Sequence, residues 1–433
     1  MEFWQKSSNF AVKMNKFVRD SAKLLSANAV AQAIGILVYP LLGRLYSPDD
    51  FGVLSLFMSI GGVAVLLGTS EYQYAIVLPK EEKTAGSVTM LCGLILAAVT
   101  AIVALTVPFA GPIAGLFRTP ELKVYYWMLP LYVLSAGLWN ILNYWYLRHQ
   151  QYTRVSGYQV SQSVLSAAGK VGFGLAGKTA IGLPLASVLA QWCSLGLSVS
   201  LAWKTLRSKW EKTAWGNIRA AAKEYRNFPK FSLPQGLANF VFNQLPVFVL
   251  TPLFGKGNVG LWAMAFLLAF TPINVIAKSM NQVFFQRISS WVNDKMPIYG
   301  KLAKLLPLTL AVCLPCFAGL YFILPWLTEW LVGSQWRESG ELIRWMLPWV
   351  TVALLIAPVG CLKDIFFKQK IGLAFEITSG VCRIIGLGIG LWQQDFALAI
   401  GGYAIASAAV NAVQYGWLLS LAKKYDRELL MQQ

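Results

Sequence analysis

The stretch Pro40–Leu54, PLLGRLYSPDDFGVL, is the part of the sequence on which the fold prediction rests. The apolar run that ends at Gly43 is about twenty residues long, which is enough for a helix to cross a bilayer. A short polar elbow follows it, and Phe51-Gly52 begins the next apolar run. The pattern therefore predicts two membrane-spanning helices joined by a tight turn.

A similar elbow occurs near the middle of the chain, as PLFGKGNVGLW at Pro252–Trp262. Six residues of this stretch have counterparts in the first elbow. The pairs are Pro40 with Pro252, Leu41 with Leu253, Gly43 with Gly255, Arg44 with Lys256, Gly52 with Gly260 and Val53 with Leu261. The repeat predicts two halves, each of which begins with the same kind of helical hairpin.

The composition indicates an integral membrane protein. Of the 433 residues, 56% are hydrophobic and 13% are charged, whereas a soluble domain carries about 25% charged residues. Apolar runs of this length must be helices, because barrel strands are only about ten residues long and alternate in polarity. The first twenty residues hold four cations but no apolar signal-peptide core, so the first span is expected to be retained.

Twelve spans follow from the apolar runs, with six on each side of a long basic loop. They are 21–43, 51–77, 84–108, 122–147, 155–177, 180–203, 231–254, 259–283, 302–328, 342–362, 371–391 and 396–421. Six spans per half place both halves in the same orientation. The predicted fold is an all-α integral membrane protein, with about 12 transmembrane helices in two parallel six-helix lobes around a central cavity.

Charge predicts the orientation and the domain boundaries. One alternating set of loops carries 27 of the 37 Lys and Arg residues, so both termini are predicted to be cytoplasmic. The net charge of +18 is then mainly a topology signal, and no nucleic-acid partner is expected. The predicted domains are an N-terminal lobe at 1–203, a basic cytoplasmic linker at 204–230 and a C-terminal lobe at 231–433. The linker is either an amphipathic helix on anionic lipid or a solvated connection.

Five charged residues inside the predicted spans are the first candidates for function, because charge at membrane depth is costly and usually faces an internal cavity. They are Glu71, Lys170, Lys278, Glu376 and Arg383. The three cations are interpreted as cavity-lining residues.

Amides accompany these charges at helical spacing. Lys170 shares a face with Gln159, Ser163 and Ser166, and Lys278 lies between Asn274 and Asn281. On the seventh span Gln235, Asn239 and Asn243 recur every four residues, and the first span offers Asn28 and Gln32. Each amide has an alternative role as a hydrogen bond between helices. Together, cations suit an anionic ligand group, and amides with aromatic rings suit sugar hydroxyls and sugar faces.

Other chemistry finds no support in the sequence. The six cysteines lie in or beside apolar runs, which argues against a disulfide framework. We find no metal cluster, catalytic triad or P-loop, so no catalytic residue, metal or cofactor is predicted and the chain is not expected to be an enzyme.

The opening hairpin, 22–56, resembles the N-terminus of Wzx-type bacterial polysaccharide and O-antigen flippases, which belong to the multidrug/oligosaccharidyl-lipid/polysaccharide exporter superfamily. The matching residues of the elbow are Arg44, Pro48, Asp50, Phe51 and Gly52. The stretch Leu331–Trp349 is similar to a second family motif, although Val332 and Ser339 replace the usual aromatic residue and alanine.

The resemblance implies that the chain moves undecaprenyl-diphosphate-linked oligosaccharides across the bacterial inner membrane by alternating access, for O-antigen, capsule or exopolysaccharide assembly. It assigns the cavity to Lys170, Lys278 and Arg383, with Asn239 and Asn243 as sugar contacts. Glu71 or Glu376 would couple transport to an ion, and Arg44, Pro48, Asp50 and Gly52 would form a structural elbow. Membrane lipids are expected partners, and the polymerase and chain-length machinery of the same pathway are further candidates.

Two alternatives remain open. A cation-coupled drug exporter of the same superfamily should place carboxylates in its cavity, whereas these spans hold three cations and two acids. An integral-membrane polysaccharide polymerase should carry large periplasmic loops with clustered catalytic residues, and the predicted loops are short.

Overall fold

The computed structural model of the chain describes residues 30–177, 179–210 and 215–432. Every regular element within these ranges is helical. Residues 1–29, which include Asn28 and the start of the first predicted span, lie outside the described residues, as do Lys178 and residues 211–214 of the predicted linker.

The chain folds into two compact units. The N-terminal unit comprises Met1–Leu45 and Phe57–Leu237, and the C-terminal unit comprises Tyr46–Leu56 and Ala238–Gln433. The elbow at 46–56 therefore packs as part of the C-terminal unit, although its neighbours in sequence belong to the other one. The predicted division at 1–203, 204–230 and 231–433 stays a prediction.

The first half of the chain forms nine helices within the described residues, the second of which begins in the elbow. They are α1 (Val30–Leu45), α2 (Pro48–Thr69), α3 (Glu82–Leu105), α4 (Ala110–Leu116), α5 (Leu122–Tyr125), α6 (Leu129–Arg148), α7 (Tyr152–Leu175), α8 (Thr179–Trp210) and α9 (Trp215–Glu224). Short 3₁₀ turns occur at Tyr72–Val77, Val107–Phe109 and Tyr126–Met128. The N-terminal core gathers around Trp145 and Tyr146 of α6, and Ala221 of α9 packs into it. Helix α9 of the basic loop is thus anchored on the protein through its apolar face.

The second half begins with a π-helical turn at Phe228–Ser232 and continues through nine helices. They are α10 (Leu233–Asn243), α11 (Leu245–Phe254), α12 (Lys256–Asn293), α13 (Tyr299–Ala303), α14 (Leu305–Val332), α15 (Arg337–Ile356), α16 (Leu362–Ile365), α17 (Gln369–Trp392) and α18 (Phe396–Gln432). A 3₁₀ turn at Ser334–Trp336 joins α14 to α15. One buried cluster of the C-terminal unit packs Val359 and Leu362 against Leu418 of α18.

Each of the twelve predicted spans contains a helix where the structure describes it. Within the described residues, eight helical stretches are long and apolar enough to cross a membrane, and α10 with α11 forms a ninth candidate that bends by 42°. The seventh span is therefore not one straight helix. Pro246 lies in the first turn of α11 and has no N–H for the helical hydrogen bond to residue 242, so the chain breaks at Gln244.

The second span also ends earlier than predicted. Helix α2 stops at Thr69 rather than at 77, because Ser70 and Glu71 adopt left-handed backbone angles, with φ of 46° and 61°. A 3₁₀ turn then covers Tyr72–Val77. As a consequence, Glu71 lies in a turn after the helix and not inside it.

The elbow sequence starts α2 with a reciprocal cap. The Ser47 backbone N–H and hydroxyl both donate to Asp50 Oδ2, at 2.9 and 2.8 Å, and the Asp50 N–H donates to Ser47 Oγ at 3.3 Å. Pro48 occupies the first helical position, where a missing N–H costs nothing. This capping box explains why a new helix begins after only two intervening residues, Tyr46 and Ser47.

The paired glycines of the two elbows lie against each other within the C-terminal unit. A Cβ on Gly52 would overlap the backbone carbonyl of Lys256, and a Cβ on Gly260 would overlap that of Pro48. Lys256 Nζ also forms an ion pair with Asp49 Oδ2 at 3.4 Å. The two related hairpins therefore cross at their matched glycines, where the absence of side chains lets the backbones touch.

The second motif packs on the first. Trp336, which is fully buried, meets Phe51 edge to face with ring centroids 5.1 Å apart. Ser339 Oγ donates to the Leu261 carbonyl at 2.9 Å, and Gly340 lies directly on the backbone of Pro325. Two stretches that are far apart in the chain thus form one packed layer.

Candidate functional site

The C-terminal unit contains a polar cavity of about 460 Å³. Helices α10, α12, α15, α17 and α18 supply its walls. Its polar lining consists of Asn239, Asn243, Asn274, Asn281, Lys363, Glu376, Ser379, Arg383, Asn411 and Gln414. The cavity therefore brings together four of the predicted site residues, which are Asn239, Asn243, Glu376 and Arg383.

Arg383 is the buried cation of this cavity, with 8% of its surface exposed. Its Nε donates to Ser407 Oγ and its Nη1 to Asn243 Oδ1, both at 2.9 Å. The guanidinium lies 5.3 Å from the ring centroids of both Trp349 and Tyr403. Among the described residues all of these partners are neutral, so the charge is held in place without being neutralised by a carboxylate.

Two amides link Arg383 to Glu376. Asn243 Nδ2 donates to Asn239 Oδ1 at 3.2 Å and to the Asn239 carbonyl at 2.9 Å. Asn239 Nδ2 then donates to Glu376 Oε2 at 3.0 Å. Arg383 and Glu376 lie two turns apart on α17, and the asparagines lie one turn apart on α10, so the two helices build the chain of hydrogen bonds between them.

Four polar lining residues were not singled out from the sequence: Lys363, Ser379, Asn411 and Gln414. Asn411 and Gln414 are three residues apart in the apolar α18 and so share one face of it. That spacing is a signal that could have found them. Lys363 had no such signal, because it lies in the short helix α16 next to a loop.

Lys278 and Lys170 do not join this group. Lys278 is exposed on α12 and does not line the cavity, although Asn274, Ala277 and Asn281 of the same helix do. Asn281 donates to the Ala357 carbonyl at 3.1 Å, as expected for an amide between helices. Lys170 belongs to α7 of the N-terminal unit.

Glu71 occupies a separate polar turn of the N-terminal unit, where only 4% of its surface is exposed. Gln73 Nε2 donates to Glu71 Oε2 at 2.8 Å. Burial raises the pKa of this carboxyl, and the bonds from Gln73 and Tyr74 oppose the rise. A Cβ on Gly236 of α10 would come within 2.7 Å of Glu71 Oε1, so the carboxylate lies against the backbone of α10.

Comparison with known sequences decides the family. A family profile described as polysaccharide biosynthesis protein matches residues 41–341, which is more than half of the chain. The chain belongs to this family. A curated relative is the succinoglycan biosynthesis transport protein ExoT of Rhizobium meliloti (strain 1021), with 22% identity over 308 residues. The match covers 70% of this chain and spans 60% of the length of ExoT.

Similar solved structures show the fold of this chain. The chain matches the lipid II flippase MurJ in an inward closed conformation with a TM-score of 0.71 at 15% identity, over 94% of this chain and 91% of MurJ. It matches an inward-facing multidrug resistance MATE transporter of the MOP superfamily with a TM-score of 0.68 at 14% identity, over 92% of this chain and 96% of that one. This chain is therefore a multi-pass membrane protein that is helical in the described residues and shares the fold of these two solved structures, as the sequence predicted.

Proposed function

We propose that this protein is a flippase that moves undecaprenyl-diphosphate-linked oligosaccharide repeat units from the cytoplasmic to the periplasmic leaflet of the bacterial inner membrane. The products would serve O-antigen, capsule or exopolysaccharide assembly. The observation that carries the proposal is Arg383, a buried cation with neutral partners in a cavity lined by amides. Membership of the polysaccharide biosynthesis family supports the same substrate class.

The cavity residues divide between the two parts of such a substrate. Arg383 and Lys363 offer positive charge to the diphosphate, and the guanidinium can bind phosphate through two donors at once. Asn239 and Asn243 offer donors and acceptors to sugar hydroxyls. Lys170 and Lys278 remain proposed contacts from the sequence, reached in other conformations of an alternating-access cycle.

Glu71 and Glu376 are the proposed ion-coupling carboxylates. Glu376 accepts a hydrogen bond from Asn239, and Asn239 accepts one from Asn243, which contacts Arg383. Protonation of Glu376 therefore changes the acceptor at one end of this row of hydrogen bonds. Glu71 is buried and strained, and gaining or losing a proton there acts on the turn against α10.

The charge pattern supports an orientation with both termini in the cytoplasm. Membrane lipids are then direct partners, and the polymerase and chain-length machinery are proposed to receive the flipped units.

The test is deletion of the gene followed by analysis of surface polymer and of lipid-linked repeat units. We expect the polymer to disappear while complete lipid-linked units remain on the cytoplasmic face, and we expect the wild-type gene on a plasmid to reverse both effects. Unpolymerised units that accumulate on the periplasmic face would instead identify a polymerase. Increased sensitivity to cationic drugs with normal polymer would identify a drug exporter.

A further inference from the structure

A second cavity, of about 300 Å³, lies entirely within the N-terminal unit. Helices α1, α6, α7 and α8 supply its walls. Every lining residue in the described part of the chain is uncharged, and the polar and aromatic ones are Gln32, Trp139, Tyr158, Gln159, Gln162, Ser163 and Gln191. Its chemistry therefore differs from that of the C-terminal cavity, which holds Arg383, Lys363 and Glu376.

An aromatic stack forms one wall. Trp139 of α6 and Tyr158 of α7 lie parallel, with ring centroids 3.3 Å apart and an angle of 8° between the planes. Trp139 is only partly buried, so the stacked pair presents a rigid aromatic surface to the cavity. Such surfaces pack well against the apolar faces of sugar rings.

The amides of the other walls are positioned to bind hydroxyl groups. Ser135 Oγ donates to Gln191 Oε1 at 2.8 Å, which fixes the orientation of that amide. Gln159 Oε1 is buried and accepts no hydrogen bond from any described residue. Buried acceptors are normally satisfied, so a ligand hydroxyl that donates to this oxygen would supply the hydrogen bond that no described residue provides.

We propose that this cavity is a binding subsite for a neutral sugar residue. The subsite rests on the proposed function, since it would hold an uncharged part of the saccharide that the flippase carries. The hydroxyls of a neutral sugar donate to Gln159 Oε1 and bond the neighbouring amides while one ring face packs on the aromatic stack. An apolar chain would leave these amides unpaired, and an ionic ligand would find no opposite charge among the described lining residues.

The test is ligand-observed saturation-transfer NMR on the purified full-length protein in detergent. The neutral probes are maltotriose, chitotriose and mannotriose, and glucuronic acid is the charged probe. We expect saturation transfer to at least one neutral probe, and we expect substitutions in this cavity to weaken it. Glucuronic acid has a separate cationic site in the C-terminal cavity, so the same substitutions should leave its transfer unchanged. Absence of transfer to all three neutral probes, or an equal loss of glucuronic acid transfer in the cavity variants, overturns the proposal.

Matched variants locate the binding. Gln159→Leu removes the unpaired acceptor at nearly constant volume and should weaken binding by about five- to tenfold, as expected for one lost hydrogen bond. Trp139→Leu should weaken it at least as much. Asn140→Leu, on α6 beside Trp139 but outside the cavity lining, is the control and should bind like wild type.

Size-exclusion profiles of all variants show whether each one folds, and Gln162→Leu is the second variant if Gln159→Leu does not. Equal binding by the folded cavity variants and the control overturns the proposal. These outcomes are separate from the function test, because normal surface polymer in the deletion strain refutes the flippase while sugar binding at this cavity can still be measured.

Discussion

Arg383 donates a hydrogen bond to the side chain of Asn243 at 2.9 Å, although the two residues are 140 positions apart in the sequence. Asn243 donates to Asn239, and Asn239 donates to Glu376. Two amides on α10 thus connect a buried cation and a carboxylate of α17 by hydrogen bonds. Each amide is oriented by its neighbour, with every donor pointing towards Glu376. This network defines the charged part of the candidate site and can be tested at each member.

The first prediction concerns Arg383. Arg383→Ala removes a buried charge whose hydrogen bonds are worth roughly 1.5–3 kcal/mol each, so we expect surface polymer to fall by about tenfold or more at equal expression. Arg383→Lys keeps the charge but loses the guanidinium that contacts Asn243 and Ser407 together. The amount of surface polymer in this variant should lie between that of wild type and that of Arg383→Ala. Polymer is measured by gel analysis of surface polysaccharide in the deletion strain.

Lys370→Ala is the control for the loss of a cation, because Lys370 lies on the same helix but is exposed and outside the cavity lining. It should support normal polymer. If Arg383→Ala and Lys370→Ala behave alike, Arg383 is not a substrate contact.

The second prediction concerns the crossing of the two hairpins. Gly52→Ala and Gly260→Ala each place a methyl group on a backbone carbonyl, so we expect a loss of about 1–3 kcal/mol in stability from overpacking. The measurement is the midpoint of thermal unfolding in detergent, followed by tryptophan fluorescence. Gly157→Ala on α7 has open space around its Cβ and should be neutral or stabilising, because alanine favours a helix over glycine by about 1 kcal/mol. Equal midpoints for all three variants would contradict the close crossing.

The third prediction concerns the start of α2. Ser47→Ala removes both side-chain bonds of the capping box and should cost about 1 kcal/mol. Ser47→Thr keeps a hydroxyl in the same place and should recover most of this loss. The same thermal measurement applies, and a Ser47→Thr variant as unstable as Ser47→Ala would show that the cap is not the cause.

The fourth prediction concerns Glu71. Burial raises its pKa above the ordinary value of 4.5, so the folded state favours the protonated carboxyl. The stability contributed by this preference is full below pH 4.5 and is lost as the pH rises through the folded-state pKa. Glu71→Gln mimics the protonated form. As the pH increases, its unfolding midpoint should therefore rise relative to that of wild type.

An offset between Glu71→Gln and wild type that stays constant across the pH series would contradict this prediction.

Much of the fold could be predicted from local sequence. The apolar runs predicted the helices, and the sequence Ser47-Pro48-Asp49-Asp50 contains its own helix start, because a capping box needs only residues that are three apart. The breaks at Ser70–Glu71 and at Gln244 were missed. Hydropathy contains no information about a left-handed backbone, and it does not detect the helix break that Pro246 causes in the first turn of α11.

The candidate site was predictable only in pieces. Asn239 with Asn243, and Glu376 with Arg383, were visible as two stripes because the helical period places them on single faces. The rotation of each helix within the C-terminal unit decides three things: that the two stripes face each other, that Lys278 does not line the cavity, and that Asn411 and Gln414 do. Packing sets that rotation, and a single sequence contains no record of it.

The sequence by itself determined that this protein is a helical membrane protein built from two similar halves, because bilayer thickness and backbone hydrogen bonding allow no other structure for such apolar runs. Only the tertiary structure decided which polar side chains share a cavity. It placed the elbow at 46–56 with the C-terminal unit, where Gly52 meets Gly260, and it separated a charged cavity in one unit from an uncharged one in the other. The physical reason is that contacts between distant residues follow from close packing of whole helices, which local periodicity does not specify.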